Sequence, residues 1–344
     1  MAPPDPMPMN APKILTPAFS PRGLMKNAHV QSIAASIKLR RPLVRIRARR
    51  FLERSRPHLL DCGEGVRLQG EYTAHGDFRR DLIVLIHGWE GSSDSVYMIS
   101  TAAHLFERGF DLFRLNLRDH GPTHHLNPGL FHSCRIDEVV GAVGAVQEAF
   151  PHRRLFLGGF SLGGNFALRV AVRAPGAGLS LGRVVAVSPV LNPVRTMAVL
   201  EFGPRVYHDY FMKKWRRSLQ IKHRCFPESA GLGNLFRLKT LGEMTAYFAP
   251  RHTGFPDARS YLNGYSLLDG ALKGLTVPCH VIASDDDPVI PSVDLVRLAA
   301  SDRLVIERTR YGGHCGVFGG LGLERWAVVR MAEIFEGSEP APCR

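Results

Sequence analysis

Arg154-Leu155-Phe156-Leu157-Gly158-Gly159-Phe160-Ser161-Leu162-Gly163-Gly164-Asn165 is the stretch that decides this chain's fold. An apolar run at 154–157 leads into the spacing G-x-S-x-G, with Gly159, Ser161 and Gly163 at its fixed points. A strand that ends in this pattern and hands over to a helix turns sharply, and the serine sits at the apex of the turn. A side chain two positions to either side would strike the neighbouring strand or helix, so glycine is required there. The apex exposes the serine hydroxyl as a nucleophile for acyl transfer. Alone the pattern is weak, because a chain with 34 glycines produces it by chance about 0.2 times. Its surroundings therefore decide.

A serine hydroxyl needs a base within hydrogen-bond reach, and the base needs an orienting carboxylate. His314 is the candidate base, in Tyr311-Gly312-Gly313-His314-Cys315-Gly316, a glycine-rich loop after the last expected strand. The acid comes from Ser284-Asp285-Asp286-Asp287-Pro288-Val289-Ile290-Pro291, after the penultimate strand. Asp287 is favoured because it stands just before a short apolar turn ending in proline. Asp286 is the close alternative and Asp285 the third. The chain order Ser161, Asp287, His314 is that of the α/β-hydrolases and differs from the chymotrypsin and subtilisin orders.

A tetrahedral intermediate needs two preorganised donors for its oxyanion. The Leu162 N–H, at the start of a helix, is one candidate. The Trp89 N–H, in Ile86-His87-Gly88-Trp89-Glu90-Gly91, is the other. His87 reads as structural. His120, His124, His125 and His132, with Asp119 nearby, match no zinc spacing. The expectation is therefore no metal and no cofactor. Ser188-Pro189 reads as a strand end.

Working outward, short apolar runs alternate with helical stretches. Expected strands are 44–49, 66–72, 82–86, 110–117, 155–160, 184–187, 280–283 and 304–306. Expected helices are 96–108, 137–150, 162–173, 292–300 and 324–335. Such alternation predicts an α/β fold with a mostly parallel central sheet and helices on both faces. One stretch breaks the rhythm. Residues 193–276 are aromatic and basic, and predict a helical lid inserted over the carboxyl edge of the sheet, where such folds place ligands. The expected organisation is an N-terminal arm at 1–40, a core at 41–192 and 277–337, and the lid at 193–276.

The chain has 344 residues, 45% of them hydrophobic, which suits a globular protein with a real core. No apolar run approaches the ~20 residues that span a bilayer. Residues 1–12 lack the features of a signal peptide. The six cysteines form no C-x-x-C pair, so reduced thiols in a cytoplasmic protein are expected. The net charge is +13, with arginines crowded in 40–56 and mixed basic residues in 213–224. A solvated basic surface is the simplest reading. Peripheral contact with an anionic membrane is the sharper one. No zinc finger or RNA-binding motif accompanies the charge, so no nucleic-acid partner is expected.

At this point the chain resembles the YheT-like branch of the α/β-hydrolases, which includes bacterial esterases, fungal medium-chain ethyl-ester synthase/esterases and mammalian ABHD lipases. The resemblance rests on Lys26-Asn27-Ala28-His29-Val30-Gln31-Ser32, His87-Gly88-Trp89-Glu90-Gly91-Ser92-Ser93 and the elbow around Ser161. It rests also on His252-Thr253-Gly254-Phe255, the aspartate loop and Gly312-Gly313-His314. It implies a serine hydrolase or acyltransferase acting on acyl esters or lipids, with Ser161, Asp287 and His314 in the triad roles. The chain departs from the group after its fourth core strand, at Asn116-Leu117-Arg118-Asp119-His120-Gly121-Pro122, a loop expected to border the pocket. The resulting expectation is a serine esterase or lipase. The alternatives are an acyltransferase with the same triad, or a non-catalytic binding protein on the same scaffold.

Overall fold

The computed structural model describes residues 12–76, 79–228, 232–299, 301–319 and 325–337. Residues 1–11 of the expected arm, Cys343 and the ends of two expected helices (Ala300, Glu324) lie outside them. In chain order the strands are β1 (Lys13–Leu15), β2 (Arg56–Asp61), β3 (Arg67–Thr73), β4 (Leu82–Ile86), β5 (Asp111–Asn116), β6 (Leu155–Phe160), β7 (Leu181–Val187), β8 (Cys279–Ser284) and β9 (Leu304–Thr309). The helices are α1 (Ala28–Ser36), α2 (Arg41–Arg47), α3 (Arg49–Arg54), α4 (Val96–Glu107), α5 (Ile136–Ala149), α6 (Leu162–Arg173), α7 (Pro193–Phe202), α8 (Arg205–Cys225), α9 (Leu232–Leu235), α10 (Leu241–His252), α11 (Ala258–Asn263) and α12 (Trp326–Glu336).

The strands form one sheet in the order β1-β9-β8-β7-β6-β4-β5-β3-β2. Pairing is parallel from β1 through β5 and antiparallel at β5–β3 and β3–β2. Strand β4 shows why the centre must be covered on both sides. All five of its side chains are fully buried. Ile83 and Leu85 join Met98 of α4 and Met331 of α12 on one face. Leu82, Val84 and Ile86 join Val139 of α5 and Phe166 of α6 on the other. Each such side chain contributes about 1.5–3 kcal/mol by leaving water.

Two expectations fail, each for a physical reason. Residues 44–49 are helical, not a strand. Val44, Ala48 and Phe51 are buried at helical spacing, while Ile46 is 70% exposed, so the apparent alternation was arginine-rich surface interrupting a 3.6-residue period. Within the helix expected at 292–300, the described residues 292–299 form no α-helix; Ser292–Arg297 is a 3₁₀ turn, and the buried Leu295 and Leu298 stand three apart, the repeat of that tighter helix. The arm carries α1 within its amphipathic segment, residues 24–39. It contributes β1 to the sheet edge and α1 to the site described below. Strand β2 escaped notice because its sequence, Arg-Pro-His-Leu-Leu-Asp, carries a proline and shows weak alternation, as an edge strand can.

Helices α7–α11 occupy the stretch between β7 and β8. Leu200, Met212, Trp215, Leu219 and Phe248 join them to the core beneath. The basic run at 213–224 is only partly solvated. Lys222 is 1% exposed; its Nζ donates to Asp119 Oδ1 (2.7 Å) and to the carbonyls of His124, Asn127 and Gly129. Lys214 Nζ donates to the Glu90 carbonyl (2.8 Å). These two lysines pin α8 to the loops at the sheet edge. In the other basic run, Arg41 and Arg45 pair with Asp94, and Arg49 pairs with Glu53. Among the described residues the five cysteines are free, and no helix is long and apolar enough to cross a membrane.

Candidate active site

The turn from β6 into α6 is as tight as its glycines require. A Cβ on Gly159 would lie 2.2 Å from the Gly163 carbonyl oxygen, and one on Gly163 would lie 2.3 Å from the Ile86 carbonyl oxygen. Ser161 itself stands at φ 53°, ψ −118°. That strained conformation costs on the order of 1–3 kcal/mol and persists because neighbours over-determine it. The Ser161 N–H donates to the Val187 carbonyl (2.9 Å), and its carbonyl accepts from the Asn165 and Val190 amides.

Three predicted residues meet at this apex. Ser161 Oγ lies 3.0 Å from His314 Nε2, and His314 Nδ1 lies 2.9 Å from Asp287 Oδ2. The neighbouring aspartates are engaged elsewhere. Asp286 Oδ1 accepts the Gly313 N–H (2.9 Å), and Asp285 pairs with Arg308. The other oxygen of Asp287 accepts the Val289 and Ile290 amides (2.8 and 2.9 Å), which holds the carboxylate facing the ring. Burial works against a charged imidazole at His314, but Asp287 and, after it, Cys315 outweigh it and raise the pKa well above the usual 6.5.

The loop after β4 abuts the serine: a Cβ on Gly88 would sit 3.2 Å from Ser161 Cβ. Around it the Gly88 N–H donates to Tyr97 Oη, the Glu90 N–H to His120 Nε2 and the Gly91 N–H to the Gly88 carbonyl. Among the described residues neither Trp89 nor Leu162 spends its backbone N–H on a protein acceptor. Both residues line the pocket that contains Ser161. The Trp89 indole stacks on Phe211 (5.1 Å between centroids) and meets Trp215 edge-on, tying this loop to α8.

The pocket is apolar. Trp89, Met197, Leu200, Phe211, Trp215 and Phe248 form much of its wall. His87 is buried and kept neutral, its pKa lowered to about 4 by burial; Nδ1 donates to the Gly88 carbonyl and Nε2 accepts the Leu117 N–H. His120 likewise bridges the Arg118 carbonyl and the Glu90 amide, and His124 Nε2 contacts Ser218 Oγ. Asp119 is the partner of Lys222. Among the described residues no group of three or more His, Cys, Asp or Glu side chains is placed to hold a metal. Ser188 ends β7 and accepts the Cys315 N–H. Sequence reasoning missed Ser32, Gln31 and Tyr207, which touch the histidine loop or its neighbours. The quoted motif at 26–32 was the one available signal for the first two.

Comparison with known proteins bears on the fold and the family. Residues 81–311 match the family model described as the alpha/beta hydrolase fold. The chain is 25% identical over 262 residues to "Putative esterase YheT" of Escherichia coli K12, covering 73% of this chain and 75% of that protein. It is 22% identical over 277 residues to the monoacylglycerol lipase ABHD2 of Danio rerio, covering 76% of this chain and 65% of that protein. Similar solved folds include an esterase of Pyrococcus furiosus (TM-score 0.54, 16% identity, 82% of this chain and 90% of that one). Another is a 2,6-dihydroxy-pseudo-oxynicotine hydrolase (TM-score 0.59, 16% identity, 91% and 80%). The family match spans well over half of the sequence and includes both the elbow and the aspartate loop, so this chain belongs to the α/β-hydrolase family, with relatives of the YheT type.

Proposed function

We propose that this protein is a serine esterase of the lipase type, cleaving acyl esters through a covalent acyl-enzyme. The observation that carries this reading is the continuous chain from Ser161 Oγ through His314 to Asp287, opening into an apolar pocket. Ser161 Oγ attacks the ester carbonyl while His314 Nε2 takes its proton. Asp287 accepts from Nδ1–H, which fixes the tautomer and stabilises the imidazolium. The Leu162 and Trp89 amides hold the oxyanion, each such donor being typically worth about 3 kcal/mol in the transition state. His314 then protonates the leaving alcohol, and water resolves the acyl-enzyme by the same route in reverse. No metal or cofactor takes part in these steps.

The test is turnover of p-nitrophenyl esters from acetate to palmitate, with fluorophosphonate labelling of Ser161. An enzyme whose acyl pocket is this apolar hydrolyses medium or long chains in preference to acetate. Met197, from α7, lines that pocket. Met197→Trp is expected to fill it and lower kcat/KM for octanoate by about 10- to 100-fold, the scale set by hydrophobic pocket contacts. Acetate turnover should change much less. An equal loss for both chain lengths would place the acyl group elsewhere.

The base must be neutral to act, so activity rises with pH as His314 loses its proton. With its pKa raised by Asp287 and Cys315, the acid limb of kcat/KM should fall at a pH above 6.5. Asp287→Asn should move that limb downward. A limb that stays in place in Asp287→Asn contradicts the assignment.

A further inference from the structure

The family-type motif Lys26-Asn27-Ala28-His29-Val30-Gln31-Ser32 has no part in the triad, yet it forms the start of α1 and lies against the histidine loop. That loop is costly to hold. Gly313, Cys315 and Val317 all stand at positive φ (55°, 57° and 47°), and for a β-branched valine this is a rare conformation. Such a loop needs partners for its backbone donors. The Gly313 N–H goes to Asp286, the Cys315 N–H to Ser188, and the Val317 N–H to the Gly312 carbonyl. Two further partners come from α1. Ser32 Oγ accepts the N–H of His314 itself (2.8 Å) while donating to the Ala28 carbonyl (2.7 Å). Gln31 is fully buried; its Oε1 accepts the Phe318 N–H (2.8 Å), and its Nε2 donates to the Phe318 and Met25 carbonyls.

The fit is backbone against backbone. A Cβ on Gly313 would lie 2.3 Å from the Ala28 carbonyl oxygen. The same helix reaches the other side of the cleft. His29 Nδ1 lies 2.9 Å from the Tyr207 hydroxyl, on the first turns of α8. Helix α8 is held further along by Lys214 and Lys222.

We propose that α1 is a positioning element of the catalytic machinery: Ser32 and Gln31 set the His314 loop, and His29 ties α8 to the same support. Ser32 is a positioning residue, acting through the His314 backbone. The inference rests on the serine-triad reading. It predicts that the placement of the base depends on a hydroxyl on the N-terminal helix, remote in sequence from the histidine.

The experiment compares Ser32→Ala and Ser32→Thr in the full chain. Ser32→Ala is expected to lower kcat on p-nitrophenyl butyrate by about 10- to 100-fold, the scale of small misplacements of a catalytic group. KM should stay within about twofold, because the pocket is untouched. The acid limb of the pH profile should shift downward, since a loosened ring gains less from Asp287. Ser32→Thr keeps the hydroxyl and should restore both. Thermal unfolding reports whether each variant is folded. Should Ser32→Ala fail to fold, Ser32→Val against Ser32→Thr isolates the hydroxyl at nearly constant volume. A folded Ala or Val variant with wild-type kcat and an unmoved limb overturns the proposal. Ser161→Ala in the same assay separates the two levels: if it too keeps its activity, the triad reading has failed; if it alone is inactive, only the role of α1 has.

Discussion

Ser161→Ala is expected to lower kcat for p-nitrophenyl esters by about 10⁶-fold, the loss seen when the nucleophile of a serine triad is removed. The prediction follows from geometry more than from motif. Ser161 holds a strained backbone at the head of α6, with glycines on both flanks that leave no room for a side chain. Strain at a single residue persists when it serves a purpose that the surroundings support. Here it aims Oγ at His314 Nε2. A residual rate above that of water should survive from the oxyanion donors and pocket alone. Fluorophosphonate labelling should vanish with the hydroxyl. A variant with full activity and intact labelling would sink the esterase reading, and with it the acyltransferase alternative that uses the same acyl-enzyme.

The second large effect is expected at Asp287. Asp287→Asn should cost about 10⁴-fold in kcat with little change in KM, because an amide in that position favours the wrong imidazole tautomer. The comparison with its neighbours is the sharper test. Asp286 accepts the Gly313 amide and does not face the ring, so Asp286→Asn should cost far less. Asp285→Asn breaks a half-exposed pair with Arg308, of a kind worth at most about 1 kcal/mol, and should be nearly silent. Kinetics on all three, with pH profiles, decides the order. Equal losses at Asp286 and Asp287 would mean that the loop as a whole, and not one carboxylate, orients the base.

Much of the frame was legible because it depends on local chemistry. The run Leu82-Ile83-Val84-Leu85-Ile86 could be only a strand covered on both faces, and α6 begins at Leu162 as the elbow pattern demands. The arginines of 40–56 hid a helix, because long charged side chains blur the hydrophobic period at a surface. Lys222 read as one more surface cation. Its burial against Asp119 depends on where α8 is laid down, and nothing within 213–224 encodes that.

The sequence alone singled out Ser161 and His314 as the candidate nucleophile and base, and the alternation of strands and helices broken by one long insertion. These follow from glycine sterics at Gly159 and Gly163, from the apolar strand runs, and from the chain order of the three catalytic loops. Only the tertiary structure decided which of three adjacent aspartates faces His314, and that Ser32 and Gln31 stand behind it. Both are matters of direction. Successive side chains in a turn point different ways, and a hydrogen bond forms within about 3 Å and a narrow range of angles, so selecting among them requires the fold.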